Sequence, residues 1–272
     1  MNLLEIKDLK KTYSIDKGWF KPKSHIQALK GVSFEVKSKE VLSIVGESGC
    51  GKSTTAKILV GMEKPDSGEV LFLNNGSLKN LNTFNQAEWQ EYRKKVQMIF
   101  QDPYSSLNPR WKVGEIIAEP LFLNSKFSKA EIREKVLEIM QKVGLKSEWI
   151  NRYSHEFSGG QRQRIGIARA LILNPSIVVC DEPVSALDVS IQAQVLNLLL
   201  DLQKEMGLTY IFISHDLGVV EHISDRIIVM NNGEIVESGS TDEIISAPKH
   251  EYTQKLLNAV PSVEKIKQRF KN

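Results

Sequence analysis

Gly46-Glu47-Ser48-Gly49-Cys50-Gly51-Lys52-Ser53 is a complete G-x-x-x-x-G-K-S run. Its flanks give it meaning. Val41-Leu42-Ser43-Ile44-Val45 has the apolar, β-branched character of a buried strand, and Thr54-Thr55-Ala56-Lys57-Ile58-Leu59-Val60 continues as a helix that Gly61 can end. A glycine-rich turn between strand and helix aims several backbone N–H groups at one point, where the helix N-terminus adds the positive end of its dipole. Lys52 is then placed for the β- and γ-phosphates of a nucleotide, and the Ser53 hydroxyl for Mg²⁺.

A second strand ends in acids. Ile177-Val178-Val179-Cys180-Asp181-Glu182 follows the stop signal Asn174-Pro175. Adjacent carboxylates at the end of a buried strand are costly without positive partners. Mg²⁺ supplies one, held by Asp181 directly or through water, and Glu182 then stands where it can polarise an attacking water.

Composition suits this chemistry. The 272 residues suffice for one large domain, or one with an inserted subdomain, and 41% hydrophobic residues can supply its core. No stretch is long and apolar enough to span a bilayer. Residues 1–8 carry charges where a signal peptide would need an apolar run. The two cysteines, Cys50 and Cys180, both lie inside the nucleotide motifs, which suits a reducing cytoplasm and gives no metal spacing. A net charge of +3 is too small to argue for nucleic acid, and the basic tail at Lys265, Lys267, Arg269 and Lys271 reads as a solvated helix end.

Two segments between the strands decide the type of ATPase. Val96-Gln97-Met98-Ile99-Phe100-Gln101 reads as a strand ending at a glutamine. Phe157-Ser158-Gly159-Gly160-Gln161 precedes helical apolar positions Ile165, Ala168, Leu171 and Ile172, so Ser158-Gly159-Gly160 sits at a helix start and forms a second anion site. One γ-phosphate does not need both sites from one chain, which points to a dimer with ATP between them. With these residues in this order, the chain resembles the ATP-binding subunits of ABC transporters, whose signature is matched by Ser158-Gly159-Gly160-Gln161.

The resemblance implies roles residue by residue. Tyr13 is similar to the aromatic that stacks on adenine, and residues 46–54, through Thr54, to the phosphate loop. Gln101 resembles the glutamine that touches Mg²⁺ and senses the transport domains. Ser185-Ala186-Leu187-Asp188 resembles the loop crossing the dimer interface. His215, after the apolar run Tyr210-Ile211-Phe212-Ile213, resembles the switch histidine that contacts the γ-phosphate. Glu182 and His215 are thus the expected catalytic pair, with Ser53, Gln101 and Asp181 the expected Mg²⁺ ligands and Ser158 to Gln161 acting in trans.

The expected fold is α/β: a P-loop NTPase core of the ABC ATPase type, with an antiparallel β arm and an inserted α-helical subdomain. Residues 3–36 read as antiparallel strands, with Val32-Ser33-Phe34-Glu35-Val36 alternating. The helical insertion falls at about 104–165. In it, Ser128 and Glu131 have capping-box spacing, and Ile132, Val136, Ile139, Met140 and Val143 keep a helical period that Gly144 closes. Arg226 to Val236 reads as a hairpin turning at Asn232-Gly233. The ATPase domain is expected over 1–245, and a C-terminal extension over 246–272.

Finer features resemble the oligopeptide, dipeptide and nickel importers. They are the loop at 46–54, Phe100-Gln101-Asp102-Pro103-Tyr104-Ser105-Ser106-Leu107-Asn108-Pro109-Arg110, and Asp181-Glu182-Pro183-Val184-Ser185-Ala186-Leu187-Asp188. His250-Glu251-Tyr252-Thr253 is similar to the C-terminal His-Pro-Tyr-Thr motif of that family, with Glu251 in place of proline, and Lys39 replaces the glycine usual before Glu40. Such importers pair two different ATPase chains. This one lacks the cysteine-rich C-terminal segment linked with an iron–sulfur cluster, so ATP and Mg²⁺ are the cofactors expected. The resemblance implies a second, non-identical ATPase, two membrane permeases and, indirectly, a substrate-binding protein, with the chain peripheral on the cytoplasmic face of the membrane. Oligopeptides or dipeptides are the expected cargo, with nickel or another metal complex the alternative. A non-transport ABC protein acting on nucleic acid or ribosomes usually carries a long coiled coil between the phosphate loop and the acidic strand, and no long heptad run occurs here. Trp19-Phe20, in the basic loop between Ile15 and Ser24, either contacts a partner or membrane surface or tucks against its own strands.

Overall fold

A computed structural model describes residues 1–15, 24–74, 76–124 and 127–258. The Trp19-Phe20 segment, the basic tail and the end of the C-terminal extension lie outside the described residues. The described chain divides into two compact units, residues 1–89 with 211–258, and residues 90–210.

The first unit carries the antiparallel arm. Its four-stranded sheet runs in the order Ser24–Lys37, Asn2–Ile15, Ser67–Asn74, Ser77–Asn80. Ile6 lies opposite Phe34 on one side and Val70 on the other. The expected alternation holds: Val32 and Val36 are buried, and Ser33 between them is exposed. The same unit holds the strand that leads into the glycine-rich loop. The wholly buried strand Val41–Val45 pairs in parallel with Arg226–Asn231, Ile44 facing Ile228. Arg226–Asn231 returns as Glu234–Ser240 through Asn232 (φ 47°) and Gly233 (φ 84°), the two positive φ values of a type I′ turn. Apolar burial holds this unit: Val45, Val220, Val229 and Ile244 form a core against which Tyr252, Leu256 and Leu257 pack from the C-terminal helix Glu251–Asn258.

The second unit combines a parallel strand pair with the helical subdomain. Val96–Ile99 and Ile177–Asp181 run side by side, Ile99 opposite Cys180. The first strand ends two residues before Gln101, because Phe100 and the turn at 102–106 leave the ladder, so the glutamine stands on a loop. The helices Val113–Asn124, Lys129–Lys142 and Gly159–Leu171 pack on one another. Lys129–Lys142 forms as its sequence requires. Ser128 accepts the Glu131 backbone N–H, Glu131 accepts the Ser128 N–H in return, and Ile132, Val136, Ile139 and Met140 are its buried face. Gly144 closes it at φ 72°.

Lys39 has a backbone reason for standing out where glycine is usual. Its φ is 63°, a left-handed conformation that costs a side-chain-bearing residue about 1 kcal/mol or more.

Candidate functional site

The phosphate loop is built from three directions within the first unit. The helix Lys52–Leu59 starts at Gly51, whose φ of 108° needs glycine. A Cβ there would meet the Ala28 carbonyl oxygen at 2.6 Å, and one on Gly46 would meet the Met230 carbonyl oxygen at 2.2 Å. The hairpin turn reaches in from the other side, where the Gly233 N–H donates to the Cys50 carbonyl at 3.0 Å. The arm strand and the hairpin thus press the loop so closely that two of its glycines have no room for a side chain.

Lys52 is buried. Its ammonium donates to the Gly46 carbonyl at 2.6 Å and the Glu47 carbonyl at 2.8 Å, and lies 3.7 Å from the Cys50 sulfur. The cation is held at the loop by the loop's own carbonyls. Ser48 and Ser53 are exposed and Thr54 is half-buried.

Tyr13 stands near this helix. Its hydroxyl donates to Glu63 Oε2 at 2.5 Å, and the Lys11 ammonium lies 5.6 Å from its ring centre. Burial raises the phenol above its usual value, the Glu63 carboxylate adds to that, and the Thr54 hydroxyl opposes it. Sequence alone does not single out Glu63 and Lys11, since only the folded arm brings them to the ring. His215 is exposed directly after the buried strand Thr209–Ser214, and Asp216 caps the short helix Leu217–Ile223 through Gly218 N at 2.8 Å.

The second unit gathers the acidic part. Glu182 follows the strand Ile177–Asp181 with φ 45°, left-handed backbone immediately before Pro183. Such a conformation costs on the order of 1–3 kcal/mol and persists where the surroundings over-determine it. Gln101 Nε2 donates to Glu182 Oε2 at 3.1 Å and approaches Ser185 Oγ at 3.5 Å, while Ser185 Oγ donates to the Glu182 carbonyl at 3.1 Å. The structure therefore brings Gln101, Glu182 and Ser185 together. Within this unit, the oxygens of Gln101 and Asp181 are hard donors of the kind Mg²⁺ takes, with waters and substrate phosphates completing its shell; Ser53, the third expected ligand, belongs to the first unit. Gln101 fits, because its amide nitrogen faces Glu182 and the amide oxygen is a separate donor.

Ser158 is the N-cap of Gly159–Leu171 in a full capping box with Gln161. Gly160 packs so tightly that an added Cβ would lie 2.4 Å from Ile191, and one on Gly159 would touch Leu187 at 3.4 Å. Ile191 belongs to the helix Val189–Met206, capped by Asp188, whose Oδ1 accepts from Ile191 N at 3.0 Å and Ser190 Oγ at 2.8 Å. Those bonds, Ser190 foremost, hold the Asp188 carboxyl below its usual range. The signature glycines and the Ser185–Asp188 loop are thus one packed surface, with Ala186 exposed upon it.

Comparison with known proteins agrees along the chain. Residues 29–185 match the ABC transporter family, and residues 236–272 match the C-terminal region of oligopeptide/dipeptide transporters. The chain is 54% identical over 259 residues to the dipeptide transport ATP-binding protein DppF of Escherichia coli (strain K12), covering 95% of this chain and 76% of that one. It is 55% identical over 263 residues to the oligopeptide transport ATP-binding protein OppF of Salmonella typhimurium, covering 95% and 78%. Among solved structures, a dimeric ATP-binding cassette in a post-hydrolysis state with ADP and Pi superposes with TM-score 0.75 at 32% identity, covering 88% of this chain and 98% of that one. CbiO1 from Clostridium perfringens, part of an ABC transporter complex, gives 0.76 at 27% identity, covering 98% and 99%.

Proposed function

Because the chain belongs to the ABC transporter family, we propose that it is the ATP-hydrolysing subunit of an importer for oligopeptides or dipeptides. The observation that carries the cargo class is the match of residues 236–272 to the C-terminal region of oligopeptide/dipeptide transporters, in the same chain as the cassette. Nickel import, left open by sequence, has no such support.

In this reading Lys52 exchanges the Gly46 and Glu47 carbonyls for the β- and γ-phosphates, and Tyr13 offers its ring to adenine. Glu182, oriented by Gln101, accepts the hydrogen bond of the attacking water and takes up its proton. His215 contacts the γ-phosphate. Ser53, Gln101 and Asp181 would hold Mg²⁺, which would neutralise the phosphate oxygens. Ser158 to Gln161 and Ser185 to Asp188 face the nucleotide of a second, non-identical ATPase subunit. Two permeases receive the closure through Gln101 and the helices after it, on the cytoplasmic face of the membrane, and a substrate-binding protein selects the cargo.

The test is reconstitution of this chain with its partner ATPase, permeases and binding protein in vesicles. ATP hydrolysis stimulated by di- or oligopeptides, with peptide accumulation, is the expected result. Stimulation by a nickel chelate and by no peptide would overturn the cargo.

A further inference from the structure

We propose that Tyr252, in the C-terminal extension, is a positioning residue of the phosphate loop, acting through a single peptide group on Lys52. This rests on the reading of residues 46–53 as the nucleotide site. The Glu47 backbone N–H donates to the Tyr252 hydroxyl at 3.0 Å, across 205 residues of sequence. That N–H and the Gly46 carbonyl belong to one planar peptide unit, on which they point in opposite directions. The same Gly46 carbonyl accepts the Lys52 ammonium at 2.6 Å. A hydroxyl fixed on one edge of the plane therefore sets the direction of the carbonyl on the other. When Lys52 leaves for the phosphates, Tyr252 still holds the plane, so the loop keeps its shape at the moment its internal cation departs.

The tyrosine is itself well founded. Its ring and Leu256 and Leu257 pack on the core formed by Val45, Val220, Val229 and Ile244, and Val45 is the residue that leads into the loop. The turn before the helix is tied down as well, the Glu237 carboxylate accepting from the backbone N–H groups of Lys249 at 2.8 Å and His250 at 3.1 Å. His250 Nδ1 in turn accepts the Tyr252 N–H at 3.1 Å. The hairpin strand Glu234–Ser240, the His250 turn and Tyr252 form a chain of hydrogen bonds that ends on the phosphate loop. An extension of this kind gives the C-terminal segment a direct hold on nucleotide affinity.

The experiment is titration of the purified full chain with a fluorescent ADP analogue, together with amide hydrogen exchange. Tyr252→Phe keeps the ring and deletes the acceptor. It is expected to weaken nucleotide binding about two- to tenfold, the range for one hydrogen bond, and to speed exchange at the Glu47 amide. Leu257→Ala loosens the helix without touching the hydroxyl and is expected to change affinity less than Tyr252→Phe does. Unchanged affinity and exchange in Tyr252→Phe, with Lys52→Ala still impaired, would overturn the role of Tyr252 alone. Unchanged affinity in Lys52→Ala would instead remove the nucleotide site on which it rests. An equal loss in Leu257→Ala would make the effect one of packing and defeat the proposal. Should the tyrosine variant not fold, an unprotected Glu47 amide in the natural chain defeats it equally.

Discussion

Glu182→Gln separates the charge of the carboxylate from everything else that residue does. The variant keeps the Cβ and the side-chain length, so the left-handed backbone at φ 45° carries the same strain. It also keeps a carbonyl oxygen able to accept from Gln101, which donates to Glu182 at 3.1 Å. The contact changes from a charge-assisted bond to a neutral one, a loss of about 1 kcal/mol at a half-buried site. That is the whole structural cost expected, and ATP affinity should stay within about fivefold of the natural chain. Catalysis should fall far more. Loss of general-base function is worth on the order of 10²–10⁴ in rate, or about 3–5 kcal/mol of barrier. The assay is single-turnover hydrolysis in the assembled complex, with nucleotide affinity measured in parallel. Glu182→Gly is the companion variant: it removes the carboxylate and also relieves the positive φ, so its stability should not fall although its turnover does. Turnover in Glu182→Gln within a few fold of natural, at unchanged affinity, would refute the argument and move the water-activating role elsewhere.

Lys52→Ala should weaken ATP binding about 10- to 100-fold, since it deletes the loop's main cation and its charge-assisted bonds; fluorescence titration checks it. Lys39→Gly should raise stability by about 0.5–1 kcal/mol, the relieved left-handed cost less the extra freedom glycine gives the unfolded chain, as read by urea denaturation; a lower midpoint would refute the strain at φ 63°. Ser158→Arg should spare ATP binding at this chain's own Lys52 and abolish hydrolysis at the partner's site, measured site by site in the coexpressed complex. Impairment confined to the Lys52 site of the same chain would refute action in trans.

What could be read from sequence was what short stretches of chain enforce. The run Val41–Val45 is buried along its whole length, so it appears as unbroken apolar residues but for Ser43. The Ser128–Glu131 box and the Asn232-Gly233 turn are closed by residues within three positions of one another, and both form where their spacing puts them. Other features depend on distant chain. Glu63 meets Tyr13 across 50 residues and Tyr252 meets Glu47 across 205, and no local pattern carries either pairing. The left-handed backbone of Glu182 is hidden too, because acids are not glycines and the strain is imposed by the turn into Pro183. Lys39 leaves a trace as a departure from the family's glycine, and its φ of 63° explains why glycine is the usual choice.

The capping box at Ser158 raises a question of valence. The Ser158 hydroxyl accepts the Gln161 N–H at 3.4 Å, so the signature serine is already used as a helix cap. A hydroxyl, however, has two acceptor lone pairs and one O–H, and the cap draws on an acceptor only. The O–H is the group a phosphate oxygen requires, and the N–H groups of Gly159 and Gly160 in the first turn are among those a helix cannot satisfy internally. Capping is therefore compatible with the proposed second role. It fixes the oxygen at the helix start, where the dipole is positive, and leaves the donors for an anion. Gly160, with no room for a Cβ against Ile191, holds that helix start on the helix that Asp188 caps, so the Ser158 turn and the Ser185–Asp188 loop are packed together. A partner's γ-phosphate arriving at Ser158 would then be sensed at Ser185, which bonds the Glu182 carbonyl and meets Gln101. In the proposed dimer, nucleotide held by one chain would in this way be linked through Leu187 and Ser185 to Glu182 of the other.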